Sequence, residues 1–89
     1  MLGTEAVTKI LREKGFKVTP QRLAVYDALS STKSHPNAEM LYQMLQPSYP
    51  TMSLATVYKT MDIFAELGLI QVLNVGEDSY RYDAETASH

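Results

Sequence analysis

Cysteine is absent from this sequence. A disulfide framework, a thiol nucleophile and a thiolate zinc site within the chain are thereby excluded. Long apolar runs are absent too. None approaches the ~20 residues needed to span a bilayer, and Met1–Leu11 lacks the pattern of a signal peptide. A cytoplasmic protein is the expectation. The sequence also has no glycine-rich phosphate loop, no internal repeat and no carboxylate pair beside a histidine. Its Ser, Asp and His residues are scattered without a triad or a nucleophile elbow, which argues against an enzyme. Histidine occurs only twice, as His35 and His89.

What is present fits one small globular domain: 89 residues, 45% hydrophobic and 20% charged. The formal charge of −2 gives no support for an acidic partner such as DNA until it is divided along the chain. Lys9, Arg12, Lys14, Lys17, Arg22 and Lys33 face Glu5, Glu13 and Asp27 in residues 1–35, a balance of +3. Lys59 and Arg81 face seven acids in residues 36–89, a balance of −5. This asymmetry permits a local positive face but is equally met by ordinary solvated charge.

Periodicity predicts four helices and then one hairpin. The first helix covers Thr4 to Lys14, with Val7, Ile10 and Leu11 as its apolar stripe and Gly15 as its stop. The second starts at Thr19-Pro20, a capping hydroxyl followed by proline at the first helical position, and runs to about Ser30. It buries Leu23, Val25 and Leu29. The third opens after Pro36 with Asn37 as cap and turns Ala38, Leu41, Tyr42 and Leu45 inward. Pro47 and Pro50 close it. Ser53 caps the fourth helix and Gly68 ends it, with Leu54, Val57, Met61, Phe64 and Ala65 on one side. Ala55, Lys59, Asp62 and Glu66 fall on the other, and Tyr58 on the boundary. Strands are expected at Leu69–Asn74 and Ser79–Asp83, joined by a turn at Val75-Gly76-Glu77-Asp78. The fold class is therefore mainly α with a small β-hairpin, the order of a winged helix-turn-helix.

A helix-turn-helix sets the N-terminal residues of its second helix against base edges in the major groove. The third helix, the Pro47–Met52 turn and the fourth helix fit that geometry. Ser53, Ala55, Thr56, Tyr58 and Lys59 are small or able to hydrogen-bond, and the acids Asp62 and Glu66 come only later. Hydroxyls can meet phosphates, and an aromatic ring can pack on a thymine methyl. An amphipathic helix with a merely polar outer face would show the same periodicity, and a boundary tyrosine is often half-buried core.

The residues resemble the ferric-uptake-regulator superfamily in several blocks. These are Lys17-Val18-Thr19-Pro20-Gln21-Arg22; His35-Pro36 with Ala38, Glu39 and Tyr42; and Ser53-Leu54-Ala55-Thr56-Val57-Tyr58-Lys59, similar to that family's recognition-helix motif. Leu67-Gly68-Leu69-Ile70 and Ser79-Tyr80-Arg81-Tyr82-Asp83 continue the likeness through the wing. It covers essentially the whole chain, in order. The resemblance implies a sequence-specific DNA-binding domain of a metal-dependent repressor, serving iron homeostasis or peroxide stress and reading an A·T-rich inverted repeat. It implies base contacts from Tyr58, and a base or phosphate contact from Lys59 on the same face, beside the small Ala55. Lys17 would enter an A·T-rich minor groove, and Arg22, Ser53 and Thr56 would hold phosphates.

Taken alone, His35 is a loop histidine, Asp83 a surface carboxylate and His89 a terminal residue. The resemblance makes them part of a regulatory site for a divalent metal, whether iron, manganese or zinc. The aspartate at 83, where iron- and manganese-responsive members often carry glutamate, leans toward the peroxide-sensing branch. The family's remaining ligands, structural zinc site and dimerisation domain lie beyond His89. Residues 1–84 are thus expected to form the winged helix and 85–89 to open the hinge to that second domain. With three ligands at most, the chain is expected to hold no metal tightly and to be mainly monomeric, where the full-length protein would be a metal-loaded homodimer on its operator. A winged helix used only for protein–protein contact is the alternative. The acid-free start of the fourth helix disfavours it.

Overall fold

The computed structural model describes residues 3–32, 35–74 and 80–84. Its elements are α1 (Thr4–Glu13), α2 (Pro20–Ser30), α3 (Ala38–Leu45), α4 (Leu54–Glu66), β1 (Gln71–Asn74) and β2 (Tyr80–Asp83). Three helices begin where a side chain satisfies an orphan N–H. Thr19 accepts from the Arg22 N–H, Asn37 from that of Met40, and Ser53 from that of Thr56. Pro20 occupies the first position of α2, where a missing N–H costs nothing.

Two helices stop in the same way. Gly15 and Gly68 adopt φ of +83° and +75°, and the next residue's N–H returns to the last turn. Phe16 bonds the Leu11 carbonyl and Leu69 the Phe64 carbonyl, each at 2.9 Å. The second of these shortens the wing. The alternation suggested a strand from Leu69, but the Leu69 N–H is consumed in closing α4, so Leu69 and Ile70 pass through the core and pairing begins at Gln71. The antiparallel register sets Gln71 opposite Asp83, Val72 opposite Tyr82 and Leu73 opposite Arg81. The turn expected at 75–78 and the hinge expected at 85–89 lie outside the described residues.

The core is shared by every helix and the wing. Val7, Leu11, Val25, Leu29, Leu41, Val57, Met61 and Phe64 are fully enclosed, joined by Leu69, Ile70 and Tyr82. The Tyr26 ring meets Phe64 edge-on, with centroids 5.6 Å apart and planes at 89°. Tyr26, Ala28, Thr60 and Ile63 are buried beyond the narrow stripes that periodicity marked, because each middle helix is flanked on more than one side. Leu23, Tyr42, Leu54 and Ala65, expected inside, are half-buried at the margin of the same core. The turn between α3 and α4 is locked by the Gln46 side-chain amide, which donates to the Pro50 carbonyl at 3.0 Å.

Candidate nucleic-acid interface

Helix α4 buries Val57, Thr60, Met61 and Phe64 and leaves Ala55, Tyr58, Lys59, Asp62 and Glu66 exposed. The Thr60 hydroxyl causes no conflict in the core, since it donates to the Thr56 carbonyl at 2.7 Å. The first turn holds no acid. The positive end of the helix dipole and its uncommitted N–H groups are therefore free to meet an anion.

Ser53 and Thr56 are brought into direct contact. The Ser53 Oγ accepts the Thr56 N–H at 3.1 Å, and the two hydroxyl oxygens lie 2.9 Å apart. One hydroxyl must donate to the other, so only one of the two protons is left for a phosphate. The pair thus offers a single donor, although both residues stood separately in the sequence reading.

Lys17 and Arg22 form a second contact pair. One guanidinium nitrogen of Arg22 donates to the Lys17 carbonyl at 2.7 Å, and the Arg22 N–H bonds the Thr19 hydroxyl at 3.1 Å. Arg22 therefore braces the segment that presents exposed Lys17. A guanidinium carries five N–H donors, so others remain for a phosphate.

Tyr58 is 44% exposed, on the rim of a groove of about 300 Å³ between α4 and the wing. Asp62, Val72, Tyr80 and Tyr82 complete its lining. Tyr82 lies at the buried end. Desolvation, followed by the Asp62 carboxylate and then Tyr58 and Tyr80, raises its phenol above the ordinary value of 10.0, so it stays protonated. Val72 and Tyr80 were missed as surface features. The available signal was the period of two, which puts Tyr80 and Tyr82 on one face, with Tyr80 projecting past the edge of the core.

The candidate metal residues meet in part. His35 Nε2 lies 3.2 Å from Asp83 Oδ2, although 48 positions separate them in the chain. His35 itself sits in the left-handed region at φ +52°, a conformation that costs a residue with a β-carbon ~1 kcal/mol or more. Two donor atoms on one tetrahedral metal at ~2.1 Å are about 3.4 Å apart, so this pair has the spacing and the N/O chemistry of one edge of a divalent site. It supplies two ligands. Among the described residues no group of three or more His, Cys, Asp or Glu side chains is placed to hold a metal, and His89 lies outside those residues.

Comparison with known proteins places the chain in a family. The family model described as the ferric uptake regulator family matches residues 13–89. The peroxide-responsive repressor PerR of Staphylococcus epidermidis is 40% identical over 79 residues, covering 89% of this chain and 53% of that protein. The chain thus spans about half the length of the curated relatives it matches. A structure of PerR from Streptococcus pyogenes, described as showing the basis for peroxide sensing and gene regulation, superposes with a TM-score of 0.85. It is 34% identical, over 94% of this chain and 58% of that one. The ferric uptake regulator Fur of Helicobacter pylori superposes at 0.86 with 21% identity, over 96% and 57% of the two chains, a likeness of fold alone.

Proposed function

The chain belongs to the ferric uptake regulator family, and from that membership we propose that it is the DNA-reading domain of a metal-responsive transcriptional repressor, not an enzyme. The observation that carries the reading is α4. It has a Ser53 cap, two opening turns without an acid, and Ala55, Tyr58 and Lys59 directed away from the core. A winged helix serving only protein contact has no need of a cation and an anion-receptive helix end on one exposed face.

In this reading Tyr58 meets base edges in the major groove, with its ring against a thymine methyl, and Lys59 reaches a base or phosphate beside it. Ala55 allows close approach. The Ser53–Thr56 pair gives one hydrogen bond to a phosphate, and Lys17 enters the flanking minor groove from the segment that Arg22 braces. The operator is an A·T-rich inverted repeat. The name of the 40% identical relative supports a peroxide-linked signal over iron homeostasis. His35 and Asp83 contribute to a regulatory divalent metal, which would supply a Lewis-acidic charge that ties the wing to the α2–α3 connection, with His89 as a third ligand. Residues 1–84 form the DNA-binding unit and 85–89 lead toward dimerisation and metal-binding parts, in a cytoplasmic protein.

Fluorescence anisotropy across a salt series tests this. With Lys17, Arg22 and Lys59 as the cations on the DNA face, the log–log slope should be no steeper than about −3, at roughly 0.9 per neutralised phosphate. Arg22→Ala should weaken binding to operator and scrambled duplex alike and flatten the slope by about one. Equal binding of wild type to an A·T-rich repeat and a scrambled duplex, at low salt only, would sink sequence-specific reading.

A further inference from the structure

Three successive residues of β2 grip the segment that enters α3. The Tyr82 N–H donates to the Pro36 carbonyl at 3.0 Å, and the Asp83 carboxylate lies 3.2 Å from the His35 imidazole. Between them, one guanidinium nitrogen of Arg81 lies 3.4 Å from the His35 carbonyl oxygen and 3.3 Å from the Met40 sulfur. The Tyr82 bond is backbone pairing, and the Asp83 contact joins two side chains already assigned to the metal edge. Arg81 belongs to neither.

His35 needs an external restraint. Its φ of +52° is unfavourable for a residue with a β-carbon, and the proline that follows drives its predecessor toward extended backbone. The local sequence therefore works against the conformation that turns the imidazole to Asp83. Arg81 is placed to oppose this. It holds the carbonyl of the strained residue on one side and is seated on the first turn of α3 through Met40, whose own N–H is fixed by the Asn37 cap at 2.8 Å. Its partners in these two contacts are a carbonyl and a thioether, both uncharged acceptors.

We propose that Arg81 is a positioning residue: its guanidinium clamps the left-handed His35 and thereby holds the imidazole on the Asp83 carboxylate. Its use in metal binding rests on the function proposed above, but the clamp itself does not. The two possible effects of Arg81 on a divalent cation have opposite signs. As a bare charge it repels the metal, and as a clamp it prearranges the ligands.

The test is NMR of the metal-free 89-residue chain with Arg81→Met, which keeps the stem and removes both charge and donors. In wild type, couplings reporting a positive φ at His35 and cross-peaks between its ring and Asp83 are expected, and in R81M both should be lost. Retention of both in R81M overturns the proposal. Calorimetry with zinc, referenced to His35→Ala, is the second readout. Affinity at the pair should fall about tenfold in R81M, as for loss of an outer-shell partner, despite removal of a repelling charge. A rise in affinity with His35 unmoved makes Arg81 a charge only and overturns the clamp. Loss of the His35 conformation with zinc binding equally absent from wild type and variant upholds the clamp and removes the metal reading. If R81M does not fold, R81Q, too short to reach the carbonyl, is judged by the same cross-peaks.

Discussion

Tyr82 brings a phenol to the junction of α4 and the wing, where its ring is buried and the Asp62 carboxylate stands nearby. Burial and that negative charge both disfavour the phenolate, so the folded chain holds the proton more tightly than the unfolded chain does. The linkage follows. Stability from this group is fully present below its unfolded value near 10 and is lost as pH rises through the higher folded value. Alkaline denaturation should therefore show stability falling above pH ~10, and Tyr82→Phe should make that fall shallower while leaving neutral pH nearly unaffected. Identical alkaline profiles for the two proteins, by circular dichroism in urea, would rule out Tyr82 as the linked group. In the sequence Tyr80 and Tyr82 look equivalent, each alternating with polar neighbours. A period of two gives the face of a strand but not its depth, and Tyr80 ends 48% exposed while Tyr82 is enclosed.

At the scale of elements, the clearest sequence signals were the ends. Thr19, Asn37 and Ser53 cap the helices they were expected to cap, because a short acceptor before an apolar run has one economical use. Legibility fails where a group has a non-local or shared partner. The Leu69 N–H goes to α4 and not to the ladder, the Ser53 and Thr56 hydroxyls meet each other, and the Arg81 contacts on His35 and Met40 cross more than 40 positions. Gly68 decides how the wing leaves α4. At φ +75° with open space around a would-be Cβ, Gly68→Ala meets no steric obstacle and should cost only the backbone penalty, about 1–2 kcal/mol. Gly68→Asn, which tolerates that region better, should cost less. Urea denaturation gives both values. A larger loss in Asn than in Ala would mean that side-chain packing, not backbone conformation, governs the position.

On the scale of the whole molecule, the described residues of all four helices and the wing share one apolar core. The radius of gyration is 12.3 Å, against about 12 Å for a single folded domain of this length. Among the described residues the exposed large hydrophobics are Met40, Met44, Tyr58, Val72 and Tyr80. Tyr58, Val72 and Tyr80 share the groove beside the proposed DNA face, and Met40 and Met44 stand one turn apart on α3. Neither group approaches the ~800 Å² per partner that a stable interface buries. The 89-residue chain should therefore sediment as a monomer at micromolar concentration. One chain then carries one recognition helix, and without a partner the second half-site adds no linked binding event. The affinity per site for an inverted repeat should match that for an isolated half-site, with no cooperativity between the two. A stable dimer in the ultracentrifuge, or tighter binding per site on the repeat, would show that this chain alone carries the contact that pairs recognition helices on a two-fold operator.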